Sequence, residues 1–125
     1  MRRWIKVVEV LREVSPEETK NEEIKSNAWE FRGVEIWEEI VEVAGEKPKV
    51  GDIIEFFPDD PFLYHTAEVI EVIREIEPNV WEVKVRREVE GEWLIEGIKP
   101  EEGQILDTEE YKNLLWLVFR PILEE

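Results

Sequence analysis

The sequence of 125 residues predicts a mainly β protein of the α+β class, built on a small, antiparallel, barrel-like sheet. Short segments rich in Val, Ile and Trp are separated by Gly and Pro, which is the spacing of strands and turns. One segment, 80–89, alternates apolar and charged residues as a half-buried strand does. Short helical insertions are expected near 16–27 and 108–116. The length fits a single domain, 1–125.

The clearest strand is the segment 80–89, "VWEVKVRREV". Trp81, Val83 and Val85 share one face, and charged residues of alternating sign occupy the other. Arg87 interrupts the alternation, so it lies either at the rim of the core or in a β-bulge. Gly91 then predicts a turn and a returning strand.

Two β-branched segments fit both a helical and a strand pattern. In 66–77, the apolar residues recur at helical spacing, but Val and Ile favour strands. We predict a strand with a bulge near Ile70, joined to 80–89 by a hairpin at Pro78-Asn79. Segment 34–44 poses the same ambiguity, and we again predict a strand.

A tight turn at Gly51-Asp52 predicts a strand beginning at Ile53 and reaching Phe57. Small barrels of the SH3-like, OB-like and PUA-like kinds have this size, and a turn of this type often precedes one of their central strands. No recognition motif of those families is intact in the sequence, so the comparison concerns size and architecture only.

Two helix starts are marked by capping residues. Ser15 is placed as an N-cap before Pro16, with acidic residues in the first turn. Asp107 is placed as a cap with Glu110 three residues later, which resembles a capping box. The uncharged run 114–119 that follows is expected to be buried on all sides.

The composition is strongly acidic. There are 32 Asp and Glu residues against 16 Lys and Arg, for a net charge of −16. Abundant Glu with one Met and no Cys is typical of hyperthermophile proteins. The absence of cysteine excludes disulfides, thiolate zinc sites and cysteine nucleophiles. No apolar run approaches the ~20 residues of a membrane span, and the N-terminal segment is interpreted as folded structure, so we expect a cytoplasmic protein.

The segment 58–65, "PDDPFLYH", contains the only histidine and two adjacent acids. His65 with Asp59 and Asp60 would suit acid–base or metal chemistry, but a second nitrogen ligand and a nearby nucleophile are missing. Neither a phosphate-binding loop nor a nucleophile elbow is present. We therefore predict no catalytic residue, no metal and no cofactor. The segment is interpreted first as a turn, and second as a binding lip presenting Phe62, Tyr64 and His65.

Two further groups are candidates for binding. Among the six tryptophans, Trp29 and Trp93 have polar neighbours and are candidate stacking residues, although a core position is the simpler interpretation. Lys84, Arg86 and Arg87 form a basic stripe in sequence, which could contact phosphates or pair with glutamates on a neighbouring strand.

These observations favour a module without catalytic activity that binds a macromolecule, most simply a protein with a basic surface. The alternative is a PUA-like, OB-like or SH3-like domain that binds RNA through the basic stripe and a tryptophan. A third possibility is an acidic mimic of nucleic acid, and an enzyme acting at the segment from Asp59 to His65 ranks last. The sequence gives no oligomeric state and no pathway.

Overall fold

The structure, a computed structural model, describes residues 2–56 and 65–119. Seven strands and one short helix follow one another in the chain: β1 (Arg2–Val14), α1 (Pro16–Thr19), β2 (Ala28–Ala44), β3 (Ile53–Phe56), β4 (His65–Glu77), β5 (Val80–Glu96), β6 (Ile105–Asp107) and β7 (Leu115–Phe119). The prediction of a mainly β protein is confirmed.

All seven strands belong to one sheet, in the order β3-β4-β5-β2-β1-β6, with β7 also paired to β5. The pairs β1–β6, β3–β4, β4–β5 and β5–β7 are antiparallel. Within the described ranges the end strands β3 and β6 do not pair with each other, so the sheet is not closed into the barrel that the sequence suggested. These end strands have only four and three residues, and closure would require a ladder between them.

The chain divides into two compact units. Unit 1 comprises Met1–Arg2 and Trp37–Arg87, and unit 2 comprises Arg3–Ile36 and Glu88–Glu125. The prediction of a single domain stays a prediction.

In unit 1, the predicted hairpin of β4 and β5 is confirmed. The register runs from Glu68 opposite Arg86 to Glu77 opposite Val80. It shifts between Val69 and Glu71, which confirms a bulge at Ile70, and it shifts again between Val72 and Arg74 and between Glu75 and Glu77. Asn79 supplies the left-handed backbone of the turn, with φ 63°.

The core of unit 1 shows why the alternating pattern was informative. Val83 and Val85 are fully buried against Ala67 and Val69. Trp81 packs at the edge of this cluster and is half-buried. The segment 34–44 belongs to β2, which confirms the strand prediction there.

The predicted turn at Gly91 is wrong, because β5 continues through this residue to Glu96. A Cβ at Gly91 would lie 2.8 Å from the Trp93 ring and 2.9 Å from the carbonyl oxygen of Phe119. The glycine therefore permits close approach of β7 and does not reverse the chain.

The core of unit 2 contains two clusters. In the first, Phe31 stacks on Trp93 with ring centroids 6.1 Å apart, among the buried residues Ile5, Val7, Ile95 and Leu106. The second contains Val14, Ile24, Ala28 and Leu94.

The helix predicted near 16–27 is confirmed only for its first turn. Glu18 accepts hydrogen bonds from the Ser15 N–H (3.1 Å) and hydroxyl (3.2 Å), which holds the start of the helix. Lys20 then adopts a left-handed backbone (φ 60°) and ends α1 after four residues.

The helix predicted near 108–116 is absent, and residues 108–114 form turns that lead into β7. Asp107 does cap this region as expected, because its Oδ1 accepts from the N–H groups of Glu109 (2.8 Å) and Glu110 (3.3 Å). The run 114–119 is not buried on all sides. Its last three residues are at least half exposed, because β7 pairs with β5 along one edge only.

A single carboxylate fastens the loop before β2 to the end of β5. Glu96 Oε2 accepts from the N–H of Lys25 (3.0 Å), the N–H of Ser26 (3.1 Å) and the Ser26 hydroxyl (3.0 Å). Burial acts to raise the pKa of Glu96, but these hydrogen bonds to the charged form outweigh it and hold the pKa below its ordinary value.

Glu96→Gln is expected to destabilise the protein near neutral pH and to have much less effect in strong acid. Because the folded pKa lies below the unfolded one, the contribution of Glu96 is complete above an ordinary carboxyl pKa and is lost as the pH falls through the folded value. Urea unfolding of both proteins near pH 7 and near pH 3 measures this. If the wild type and Glu96→Gln differed in free energy of unfolding by the same amount at both pH values, the role assigned to the negative charge of Glu96 would be contradicted.

Candidate functional site

The most unusual surface of unit 2 is the strand β7, "LWLVF", which contains no charged residue. Leu117, Val118 and Phe119 are 54%, 50% and 57% exposed. Three consecutive large apolar residues with half their surface in water are a candidate contact surface. We call Leu115–Phe119 and its backbone the β7 edge.

Pairing leaves one side of the β7 edge open. β7 pairs with the last part of β5, from Phe119 opposite Glu92 to Leu115 opposite Ile95. No other strand in the described parts of the chain pairs with β7. Within those parts, the backbone groups on the far side of Leu117 have no strand partner, and they are of the kind that a further strand can bind.

The two ends of the sheet differ from the β7 edge in one respect. β3 carries Glu55 and β6 carries Asp107, and charges of this kind discourage strand-to-strand association. β7 has no such protection.

The chain around the β7 edge is acidic. From Glu88 to Phe119 there are nine acidic residues and only two lysines. Lys99 lies over the Trp29 ring, 4.9 Å from its centroid, and Lys112 lies 3.8 Å from Glu109. A partner that reaches the β7 edge therefore meets a predominantly negative segment.

The predicted basic stripe is not a continuous row. Arg86 Nη2 donates to Glu38 Oε2 at 3.1 Å, and Glu38 is only 9% exposed. Strand alternation places Lys84 on the face of Arg86 and places Arg87, which is half-buried, on the opposite face.

The position of Arg86 bears on its chemistry. Its Nε is buried and has no hydrogen-bond partner, while its side chain as a whole is 40% exposed. The carboxylate of Glu38 neutralises the guanidinium locally. Of the two uses predicted for this residue, pairing with a glutamate on a neighbouring strand is the one observed.

A shallow depression adjoins this pair in unit 1, lined by Arg2, Glu38, Glu39, Ile40 and Lys84. Its two cations face two carboxylates, so the depression has no surplus of positive charge. This is a poor site for a phosphate.

The two candidate tryptophans occupy different positions. Trp93 is 4% exposed and stacks on Phe31, so its ring belongs to the core. Trp29 is half-buried against the same cluster, beneath Lys99. Neither residue presents an open aromatic face of the kind that bases stack on.

The candidate binding lip cannot be placed. Phe62 and Tyr64 lie outside the described residues, as do Asp59 and Asp60. His65 begins β4, where its backbone is opposite Phe56. The predictions for these residues stay predictions.

In the described ranges, no group of three or more histidine, aspartate or glutamate side chains is arranged to hold a metal ion. Nor do these ranges contain a helix long and apolar enough to cross a membrane. Comparisons with models of protein families, with curated proteins and with solved structures find no match to this chain.

Sequence reasoning missed the β7 edge, although a signal was present. The uncharged run 114–119 follows an acidic stretch of the sequence, and an uncharged run of this kind is typical of a core strand and of an interface strand alike. The structure distinguishes an interface strand from a core strand here only because it shows β7 paired along a single edge.

Proposed function

We propose that this chain is a binding module without catalytic activity, and that its β7 edge contacts a protein partner with a basic surface. The observation that carries the proposal is an exposed, uncharged strand bordered by an acidic stretch of chain. Burial of Leu117, Val118 and Phe119 would supply affinity. The surrounding carboxylates would select a positively charged partner and accelerate the encounter.

Nucleic acid is a weaker candidate for the same chain. A net charge of −16 opposes a polyanion. The best-placed arginine of the predicted stripe, Arg86, is already paired with Glu38.

A capture experiment with matched variants tests the proposal. The wild-type chain, the double variant Leu117→Ser/Phe119→Ser and the control Val50→Ser/Ile53→Ser are immobilised and exposed to a nuclease-treated lysate of the source organism. The control removes two apolar side chains of similar exposure (68% and 60%) from unit 1. We expect a basic protein to be retained by the wild type and the control, and to be lost from the β7 variant and at high salt.

Three results would contradict the proposal. Capture that is equal for all three chains would mean that the β7 edge is not the contact. Recovery of RNA when nuclease is omitted, with no protein retained, would favour the RNA-binding alternative. Capture of a nucleic-acid-binding protein that is released by added DNA or RNA would favour an acidic mimic.

The RNA alternative makes its own prediction for Lys84, Arg86 and Arg87. Changing all three to Gln is expected to leave affinity for the protein partner within about twofold, because on this proposal the contact is made by β7 and not by these three side chains. If they were phosphate contacts, the same change would flatten the salt dependence of RNA binding by about one unit of slope per contact. A titration of labelled single-stranded RNA at several salt concentrations decides between these outcomes. Tight binding by the wild type near physiological salt, lost in the triple variant, would reverse our assignment.

A further inference from the structure

We infer that the β7 edge binds its partner by strand addition, with an extended segment of alternating apolar and basic residues. This inference rests on the proposed function and specifies how the same surface is used. It depends on which backbone groups of β7 point away from β5, on the irregularity at Val118, and on the acidic surroundings.

The direction of the backbone groups follows from one hydrogen bond. The Glu96 N–H donates to the Leu114 carbonyl at 2.8 Å, so Leu114 faces β5. In an antiparallel ladder the inward and outward groups alternate along the strand. Trp116 therefore also faces β5, and the backbone groups of Leu115 and Leu117 point away from it.

Only part of this outward row is open. The Leu115 N–H already donates to the Tyr111 carbonyl at 3.1 Å. The outward groups that remain are the Leu115 carbonyl and both the N–H and the carbonyl of Leu117. Leu117 can thus exchange hydrogen bonds with an added strand in both directions.

A bulge limits how far the added strand can run. Glu92 and Trp93 are consecutive, but their partners are Phe119 and Leu117, so Val118 is an extra residue in β7. The carbonyl of Phe119 lies close to Gly91, which places it on the β5 side. The added strand is therefore expected to be short and centred on Leu117.

The side chains around Leu117 determine which residue types the added strand is expected to contain. A residue placed opposite Leu117 lies on the same face as this exposed leucine and is expected to be apolar. The residues immediately before and after it in the added strand project to the opposite face. Because nine of the eleven charged residues between 88 and 119 are acidic, basic side chains suit those positions best.

A second copy of this chain is the competing occupant, because two β7 edges could pair with each other. Each copy carries a net charge of −16, and pairing would bring the two acidic stretches together. Charge complementarity therefore selects a basic segment over self-association.

The test uses a defined peptide as the probe. A fluorescent peptide of eight alternating lysine and valine residues is titrated with the full chain, beside a version whose four central amides are N-methylated. Both peptides have the same charge and side chains, but the second cannot donate hydrogen bonds from its four central amides. We expect the methylated peptide to bind at least about tenfold more weakly, through the loss of backbone hydrogen bonds.

A pair of variants tests the same contact from the protein side. Leu117→Pro removes the outward N–H without removing a hydrogen bond to β5, and Leu117→Ala removes the side chain but keeps the N–H. We expect the proline variant to bind the peptide about tenfold more weakly than the alanine variant. Circular dichroism and urea unfolding establish that both variants are folded.

Each contrary outcome has a distinct meaning. Equal binding of the two peptides would overturn strand addition while leaving the proposed function in place. No binding of either peptide by the wild type would overturn both. A dimer in size-exclusion chromatography that Leu117→Pro dissociates would identify a second copy as the occupant and would overturn the basic segment.

Discussion

Phe31→Ala is expected to lower the free energy of unfolding by about 3–5 kcal/mol, which is the range for removing a large aromatic side chain from a core. Phe31 is fully buried, and its ring stacks on Trp93 in the first cluster of unit 2. The substitution removes this contact and leaves a cavity that the surrounding β-strands cannot readily fill.

Phe119→Ala is the matched control, because it makes the same chemical change where the side chain is 57% exposed. It is expected to cost less than about 1 kcal/mol. Urea unfolding followed by tryptophan fluorescence measures both variants, and Phe31→Leu gives a smaller effect in the same direction if the alanine variant does not fold. Equal losses for the two alanine variants would contradict the placement of Phe31 in the core.

Local patterns in the sequence were sufficient to predict a strand where one of its faces is buried and the other is exposed. The alternation of Trp81, Val83 and Val85 predicted both the strand and its inward face. Pro78 and Asn79 predicted the hairpin, since proline and asparagine suit the backbone of a tight turn. The bulge at Ile70 followed from the helical spacing of apolar residues within a β-branched segment.

The predictions failed where the outcome depends on distant chain segments. Gly91 is equally consistent with a turn and with a close approach between strands, and only the position of Phe119, far along the chain, decides between them. The cap at Asp107 was predicted correctly, but a capped turn need not continue as a helix. β7 begins eight residues later because its apolar residues pair with β5.

The candidate site was harder to predict than the fold for a related reason. Burial of an apolar run depends on what covers it, and the sequence of 114–119 is compatible with a core strand and with an exposed edge. Lys84, Arg86 and Arg87 looked equivalent in sequence. In the structure Arg86 pairs with Glu38 from a neighbouring strand, and Arg87 projects to the opposite face of β5.

The acidic surplus persists after the ion pairs are taken into account. Most pairs in unit 2 lie at the surface, such as Arg12 with Glu18 and Arg32 with Glu9, and pairs of this kind add little to stability. Under the proposed function, the excess negative charge would act mainly through the choice of a basic partner.

Gly91→Ala is expected to destabilise unit 2 by about 1–3 kcal/mol and to loosen β7. A methyl group at this position would lie 2.8 Å from the Trp93 ring and 2.9 Å from the Phe119 carbonyl oxygen, and both contacts are too short for carbon. Replacing glycine in a strand normally stabilises by about 0.4–1 kcal/mol through the unfolded state. Overpacking costs about 1–3 kcal/mol, so the clash is expected to prevail.

Hydrogen exchange shows whether the effect of Gly91→Ala is confined to β7. The amides of Trp116 and Phe119, which face β5, should exchange faster in the variant, while those of Val83 and Val85 in the core of unit 1 should be unchanged. Glu90→Ala introduces the same residue at the neighbouring, exposed position and should change stability by less than about 0.5 kcal/mol. If Gly91→Ala proved as stable as the wild type, with β7 equally protected, the glycine would not be needed for the approach of β7. If it were destabilised and also lost the captured partner, the correct seating of β7 against β5 would be a requirement for binding.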